Sequence, residues 1–165
     1  MNCTLPMLML LALASTALAA PLSQITVAVD KTCGIVVGKT RINLGSKVDV
    51  FIAKLGKPTT VAVGDIPGTK TLRYPYQGLE VDYSATTRKI LILTVDMAVY
   101  PRLSLSSGAR LDAPRHALTK DLGSIMDSMS SSHFTFYENA ACTLILPGPA
   151  RVFTTASMYL PDLGF

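Results

Sequence analysis

Between Ile42 and Val95 the order of apolar and polar positions changes period, from that of a helix to that of strands. Val48, Phe51, Ile52 and Leu55 stand at i, i+3, i+4 and i+7, the spacing that gathers apolar side chains on one stripe of a helix. Ser46 and Asp49 have the spacing of a capping box, Gly56 offers a left-handed stop and Pro58 bars continuation. Three strand-like runs follow, Leu72 to Tyr76, Leu79 to Tyr83 and Lys89 to Val95. In the first two, Leu72, Tyr74, Tyr76 and Leu79, Val81, Tyr83 alternate with Arg73, Glu80 and Asp82, which predicts one apolar and one wet face. Gln77-Gly78 and Ser84 to Arg88 are short enough for hairpin connections, so the strands are expected to be antiparallel with the helix on their apolar face.

A weaker version of the same pattern follows the Tyr100-Pro101 connection. Leu103 to Leu105 reads as a strand, and Asp112 opens a helix with Pro114 in its first turn. Gly123, in the place of Gly56, argues for a helix end there, while the spacing of Leu118, Leu122, Ile125, Met126 and Met129 argues for an end at Ser130 to Ser132. Three runs come next, His133 to Tyr137, Ala141 to Leu146 and Arg151 to Tyr159, and Tyr137-Glu138-Asn139 echoes Tyr76-Gln77-Gly78. Ahead of the first unit, Gln24 to Val29, Ile35 to Val37 and Arg41 to Leu44 form a predicted β meander with a tight turn at Gly38-Lys39. The expected fold class is α+β: two tandem helix-plus-antiparallel-sheet modules, helices packed on one sheet face. The first, with the meander, occupies residues 21–100 and the second, degenerate α-β-β-β module residues 101–165.

Composition changes this picture at one end. Of 165 residues 49% are hydrophobic, but Leu5 to Ala20 is a Leu, Met and Ala run ending in small residues, which reads as a secretory signal peptide over residues 1–20. Only the terminal amine supplies positive charge ahead of it, and the run is too short to favour a stable membrane anchor. No cysteine stands at the cleavage point for lipid attachment. The mature part keeps Cys33 and Cys142, which in an exported protein suggest one disulfide, the alternative being that Cys142 is a small buried hydrophobe in a strand. Formal charge is +4, yet the basic residues are scattered without a polybasic tract. Export and scatter argue against nucleic acid as a partner, and a mildly basic surface suits an acidic protein, lipopolysaccharide or cell-wall polymer, or serves solubility alone.

Candidate chemistry is sparse. Gly34-Ile-Val-Val-Gly38-Lys39-Thr40 imitates a phosphate-binding loop but has three residues between its glycines where that motif needs four, and β structure is expected on both sides. His116 and His133 are the only histidines, and Glu80 with Asp82 reads as a solvated strand face. With no Gly-x-Ser-x-Gly elbow and no His-Glu-x-x-His, neither an enzyme nor a cofactor or metal is expected. The tyrosines alternate in phase with Leu and Val as core; any that emerge at strand ends are interface anchors. The residues singled out for partner contact are Arg73, Tyr76, Glu80, Asp82, Tyr137 and Arg151.

The run from Ile42 through Gly45, Leu55-Gly56-Lys57-Pro58 and Tyr74-Pro75-Tyr76-Gln77-Gly78-Leu79-Glu80-Val81 resembles the repeat of the beta-lactamase-inhibitor-protein and outer-membrane-assembly small-lipoprotein folds. It is more similar still to bacterial immunity-type proteins found beside secreted toxins, in which a second, degenerate copy follows. The resemblance covers residues 25–95 well and the rest poorly, and the motifs are structural: a cap, a stop and two turns. It implies a sheet face that grips another protein, with no catalytic residue to carry over. The expected function is therefore an exported, periplasmic or secreted, non-enzymatic immunity protein that neutralises a toxin by direct contact. An envelope-assembly factor and a secreted hydrolase inhibitor are the alternatives.

Overall fold

The computed structural model describes residues 25–28, 33–127, 129–148, 150 and 154–161. The expected signal peptide and Arg151 lie outside them. The fold is mixed α+β and mostly strand, with two helices and two sheets among the described residues. In chain order come β1 (Ile25–Ala28), β2 (Gly34–Val37), β3 (Thr40–Asn43), α1 (Val48–Leu55), β4 (Thr60–Val63), β5 (Thr69–Tyr74), β6 (Leu79–Ser84) and β7 (Ile90–Asp96). Then follow β8 (Ser104–Leu105), α2 (Arg115–Leu122), β9 (Ser124–Ile125), β10 (Phe134–Glu138), β11 (Thr143–Pro147) and β12 (Thr155–Tyr159).

The expected meander is present: β1 pairs antiparallel with β2, and β2 with β3 across the Gly38-Lys39 turn. The segment that imitates a phosphate loop is thus a hairpin. β8, expected to open the second unit, instead pairs parallel with β1 at the edge of this small sheet. The large sheet has eight strands in the order β4-β5-β6-β7-β12-β11-β10-β9. Four strands from each half of the chain meet along β7 and β12, which pair antiparallel from Asp96↔Thr155 to Ile92↔Tyr159.

Both helices differ from expectation at an end. Ser46 does not cap α1; its hydroxyl donates to the Asn43 carbonyl, and Lys47 holds the cap position. The orphan N–H of Val48 is satisfied by the Arg88 carbonyl, 2.9 Å away, in the turn between β6 and β7. Arg88 there has φ 56°, and its guanidinium pairs with Asp49, the carboxylate expected to reach back to the cap. The start of α1 is therefore held by the sheet. At the end of α2 Gly123 decides: it adopts φ 93°, its N–H bonds to the Thr119 carbonyl, and a Cβ there would lie 2.3 Å from the Glu138 carbonyl oxygen. The apolar spacing as far as Met129 is not helical, and Ser124–Ile125 pairs with β10 instead.

Two strands escaped the pattern. β4 is an edge strand whose Val61 and Val63 are 56% and 86% exposed, so it carries no burial alternation. β9 is two residues long. At the end of β5 the chain turns into a short 3-10 segment, Pro75–Gln77, because Pro75 has no N–H for the ladder. Tyr76 is accordingly 86% exposed rather than in phase with buried Tyr74.

Side chains from both sheets and both helices form one contiguous core, from Val27 and Ile35 through Phe51 and Leu93 to Leu122 and Met158. A disulfide joins Cys33, just before β2, to Cys142, just before β11 rather than in a strand. It closes a loop of 109 residues, for which loss of unfolded-chain entropy is worth about 4–5 kcal/mol. Asn139 builds the turn that holds Cys142. Its Oδ1 accepts from the N–H groups of Ala141 and Cys142 at 2.7 and 3.0 Å, while its Nδ2 donates to the carbonyl of Leu122 at the end of α2.

Candidate functional site

The strand registers assign the two faces of the large sheet. Leu72, Val81, Leu93, Met158, Leu144 and Tyr137 stand side by side across six strands on one face, and all are buried. Both helices lie on that side. The Phe51 ring of α1 packs at 5.4 Å on Tyr74, whose hydroxyl donates to the Gly56 carbonyl at 2.9 Å. At the other half the Tyr137 hydroxyl donates to the Arg115 carbonyl at the start of α2, 3.2 Å away. Burial pushes the Tyr74 phenol up to about 12 and raises that of Tyr137 as well.

The opposite face carries the row Arg73, Glu80, Thr94, Ser157, Ile145, Phe136, again one residue per strand. The next row holds Thr71, Asp82, Ile92, Tyr159, Thr143 and Glu138. Its first half is polar: Arg73 pairs with Glu80 at 2.8 Å, and the Thr71 hydroxyl donates to Asp82. Burial holds the Asp82 carboxyl above the usual range, against the lowering effect of the Thr71 hydrogen bond. Along the seam the Thr94 and Ser157 hydroxyls bond at 2.9 Å. Beyond it the face turns apolar, with Ile145, Phe134, Phe136 and Tyr159 part-exposed. Thr71 and Ile92 are buried on this side, while Arg73, Glu80, Phe136 and Ile145 are at least part-exposed. Alternation also turns Asp96 and Glu138 to it, so the described strands place four carboxylates and one guanidinium on the more open face of a chain whose formal charge is +4.

Of the residues singled out from the sequence, Arg73, Glu80 and Asp82 come together on the open face. Tyr76 stands apart on the β5–β6 connection. Tyr137 is 1% exposed and belongs to the covered face, because Thr135 and Tyr137, not Phe134 and Phe136, are the inward pair of β10. Arg151 is not among the described residues. Phe134, Phe136 and Ile145 were missed because Phe134–Tyr137 and Leu144–Leu146 carry apolar residues in both phases, so the sequence does not mark the inward one.

Behind the sheet, between α2 and the covered face, lies a cavity of about 540 Å³. Met97, Leu111, Pro114, Leu118 and Leu146 contribute apolar walls, and Asp112, Arg115, Thr135, Tyr137 and Thr154 contribute polar groups. Thr135 is 2% exposed, and its Oγ1 is buried without a hydrogen-bond partner.

No protein-family model, curated protein or solved structure matches this chain.

Proposed function

We propose that this is an exported immunity-type protein that neutralises a protein toxin by gripping it across the open face of the eight-stranded sheet. The observation that carries the reading is the composition of that face, an apolar patch of Phe136, Ile145, Phe134 and Tyr159 beside a carboxylate-rich half. Aromatic anchors next to charge are what specific protein interfaces use. The overall charge pointed to an acidic partner; the carboxylates of this face suit a basic one. The disulfide is of the kind found in oxidising compartments, which agrees with the export read from the sequence.

We also read the two halves as tandem copies. Placing Gly56 on Gly123, which share a positive φ, sets Val48, Phe51 and Leu55 against Arg115, Leu118 and Leu122. Each helix then precedes four consecutive strands of the one sheet. Deleting the gene and exposing the cells to their parent strain tests the function, since the deletion strain should be killed and a plasmid copy should rescue it. A Phe136→Asp or Ile145→Asp copy should fail to rescue while melting near wild type. Equal survival of the deletion strain and its parent overturns the reading.

A further inference from the structure

The cavity behind α2 lies on the other side of the sheet from the proposed partner face and has chemistry of its own. We infer that it is a binding site for a small anionic amphiphile, an acyl chain ending in a carboxylate or comparable acidic head.

Three observations converge. At 540 Å³ with mainly apolar walls from Met97, Leu111, Leu118 and Leu146, the cavity has the size and lining of small-molecule sites. Its polar lining is Arg115, Thr135, Tyr137, Thr154 and Asp112, and the Asp112 carboxylate is already held by the Arg110 guanidinium at 2.6 Å, which leaves Arg115 as the charged group of the wall outside an ion pair with a carboxylate among the described residues. Arg115, the first residue of α2, lines it, and one guanidinium nitrogen donates to the Ser131 carbonyl at 2.6 Å. The helix starts there behind Pro114 without a side-chain cap, so an anion would also meet the positive end of the helix. Finally, Thr135 stands in the wall with the single buried side-chain polar atom that lacks a partner among the described residues. A buried hydroxyl left unbonded is costly, and a ligand head seated against β10 would satisfy it.

The first half of the molecule shows what a filled version looks like. At the places of Arg115 and Leu118, α1 has buried Val48 and Phe51, and the Phe51 ring packs directly on Tyr74. Exchange of two apolar side chains for a cation and a smaller residue converts packed core into a lined hole with a charge at its edge.

The test titrates sodium dodecanoate, below its micelle concentration, into the disulfide-bonded protein by calorimetry, with dodecanol as the uncharged control. Saturable one-to-one binding of dodecanoate, about tenfold or more tighter than dodecanol, is expected from a charge-assisted contact. Leu118→Phe should abolish binding by filling the cavity, and Arg115→Gln should erase the preference for the acid. Thr135→Val should weaken binding while raising the melting temperature of the free protein. Flotation with phosphatidylglycerol vesicles separates a free amphiphile from a bilayer lipid of the same chemistry: remaining soluble assigns the former, and flotation lost in Leu118→Phe the latter. Absence of dodecanoate binding together with absence of flotation, or binding unchanged in both Leu118→Phe and Arg115→Gln, overturns the proposal.

Discussion

α1 and α2 are both eight residues long, end on a glycine with positive φ and lie on the same face of one sheet, yet they do different work there. α1 buries Val48, Phe51 and Leu55, and its first N–H is taken by the turn between β6 and β7. α2 buries Leu118 and Leu122 and leaves a cavity where its first turn meets the sheet. The same local geometry thus serves as a stabilising lid in one half and as the wall of a hole in the other. What differs is the apolar bulk each helix buries against the sheet, Val48, Phe51 and Leu55 in α1 but Leu118 and Leu122 in α2.

The largest effect should come from cutting the tie between the halves. Replacing Cys33 and Cys142 by alanine, or reducing the bond, is expected to cost about 2–5 kcal/mol, read as a lower urea midpoint. A loss below that range would show that the second half holds the small sheet without covalent help. Next, Phe51→Ala should cost about 3–5 kcal/mol and Leu118→Ala about 2 kcal/mol, because the second site already borders empty space. Equal costs would mean that the two helices are packed alike. The glycine ends separate the halves again. Gly56 has open space where a Cβ would stand, so Gly56→Ala should cost about 1 kcal/mol from its φ alone, whereas at Gly123 the nearby Glu138 carbonyl should raise the cost to about 2–3 kcal/mol. Chemical denaturation of the two variants side by side decides this.

The smallest effect concerns the open face. Because burial raises the Asp82 pKa in the fold, the folded state keeps a proton that the unfolded chain has already lost. Its contribution is therefore favourable at low pH and is lost as pH rises from the ordinary carboxylate value through the raised one. Asp82→Asn should melt higher than wild type at neutral pH, with the difference fading on acidification. A difference in melting temperature that does not change with pH would remove Asp82 as its source.

Period and punctuation made α1 and the strand around Val81 legible, because each buries one apolar face, and the β-branched runs with their Gly38-Lys39 turn did the same for the meander. Where both faces are apolar, or neither is buried, the pattern lost its meaning. β4 is exposed along its length, and β10 and β11 carry apolar side chains on both faces, so Tyr137 was singled out for partner contact and Phe136 was not. The cap of α1 was misread for another reason: its donor is answered from forty residues away by Arg88, a partner that no local motif encodes. The cavity was invisible because it depends on what α2 lacks relative to α1, a comparison that needs the helices laid on a common sheet.

The parallel pairing of β1 with β8 and the bond from Cys33 to Cys142 impose an order on folding. A chain made from its N-terminus has β1, β2 and β3 at hand early, but the edge of β1 stays open until Ser104 and Leu105 arrive, and Cys33 has no partner until residue 142. These early segments are thus among the last to be secured, which leaves a long interval in which an unpaired thiol and a bare strand edge must be kept from strangers.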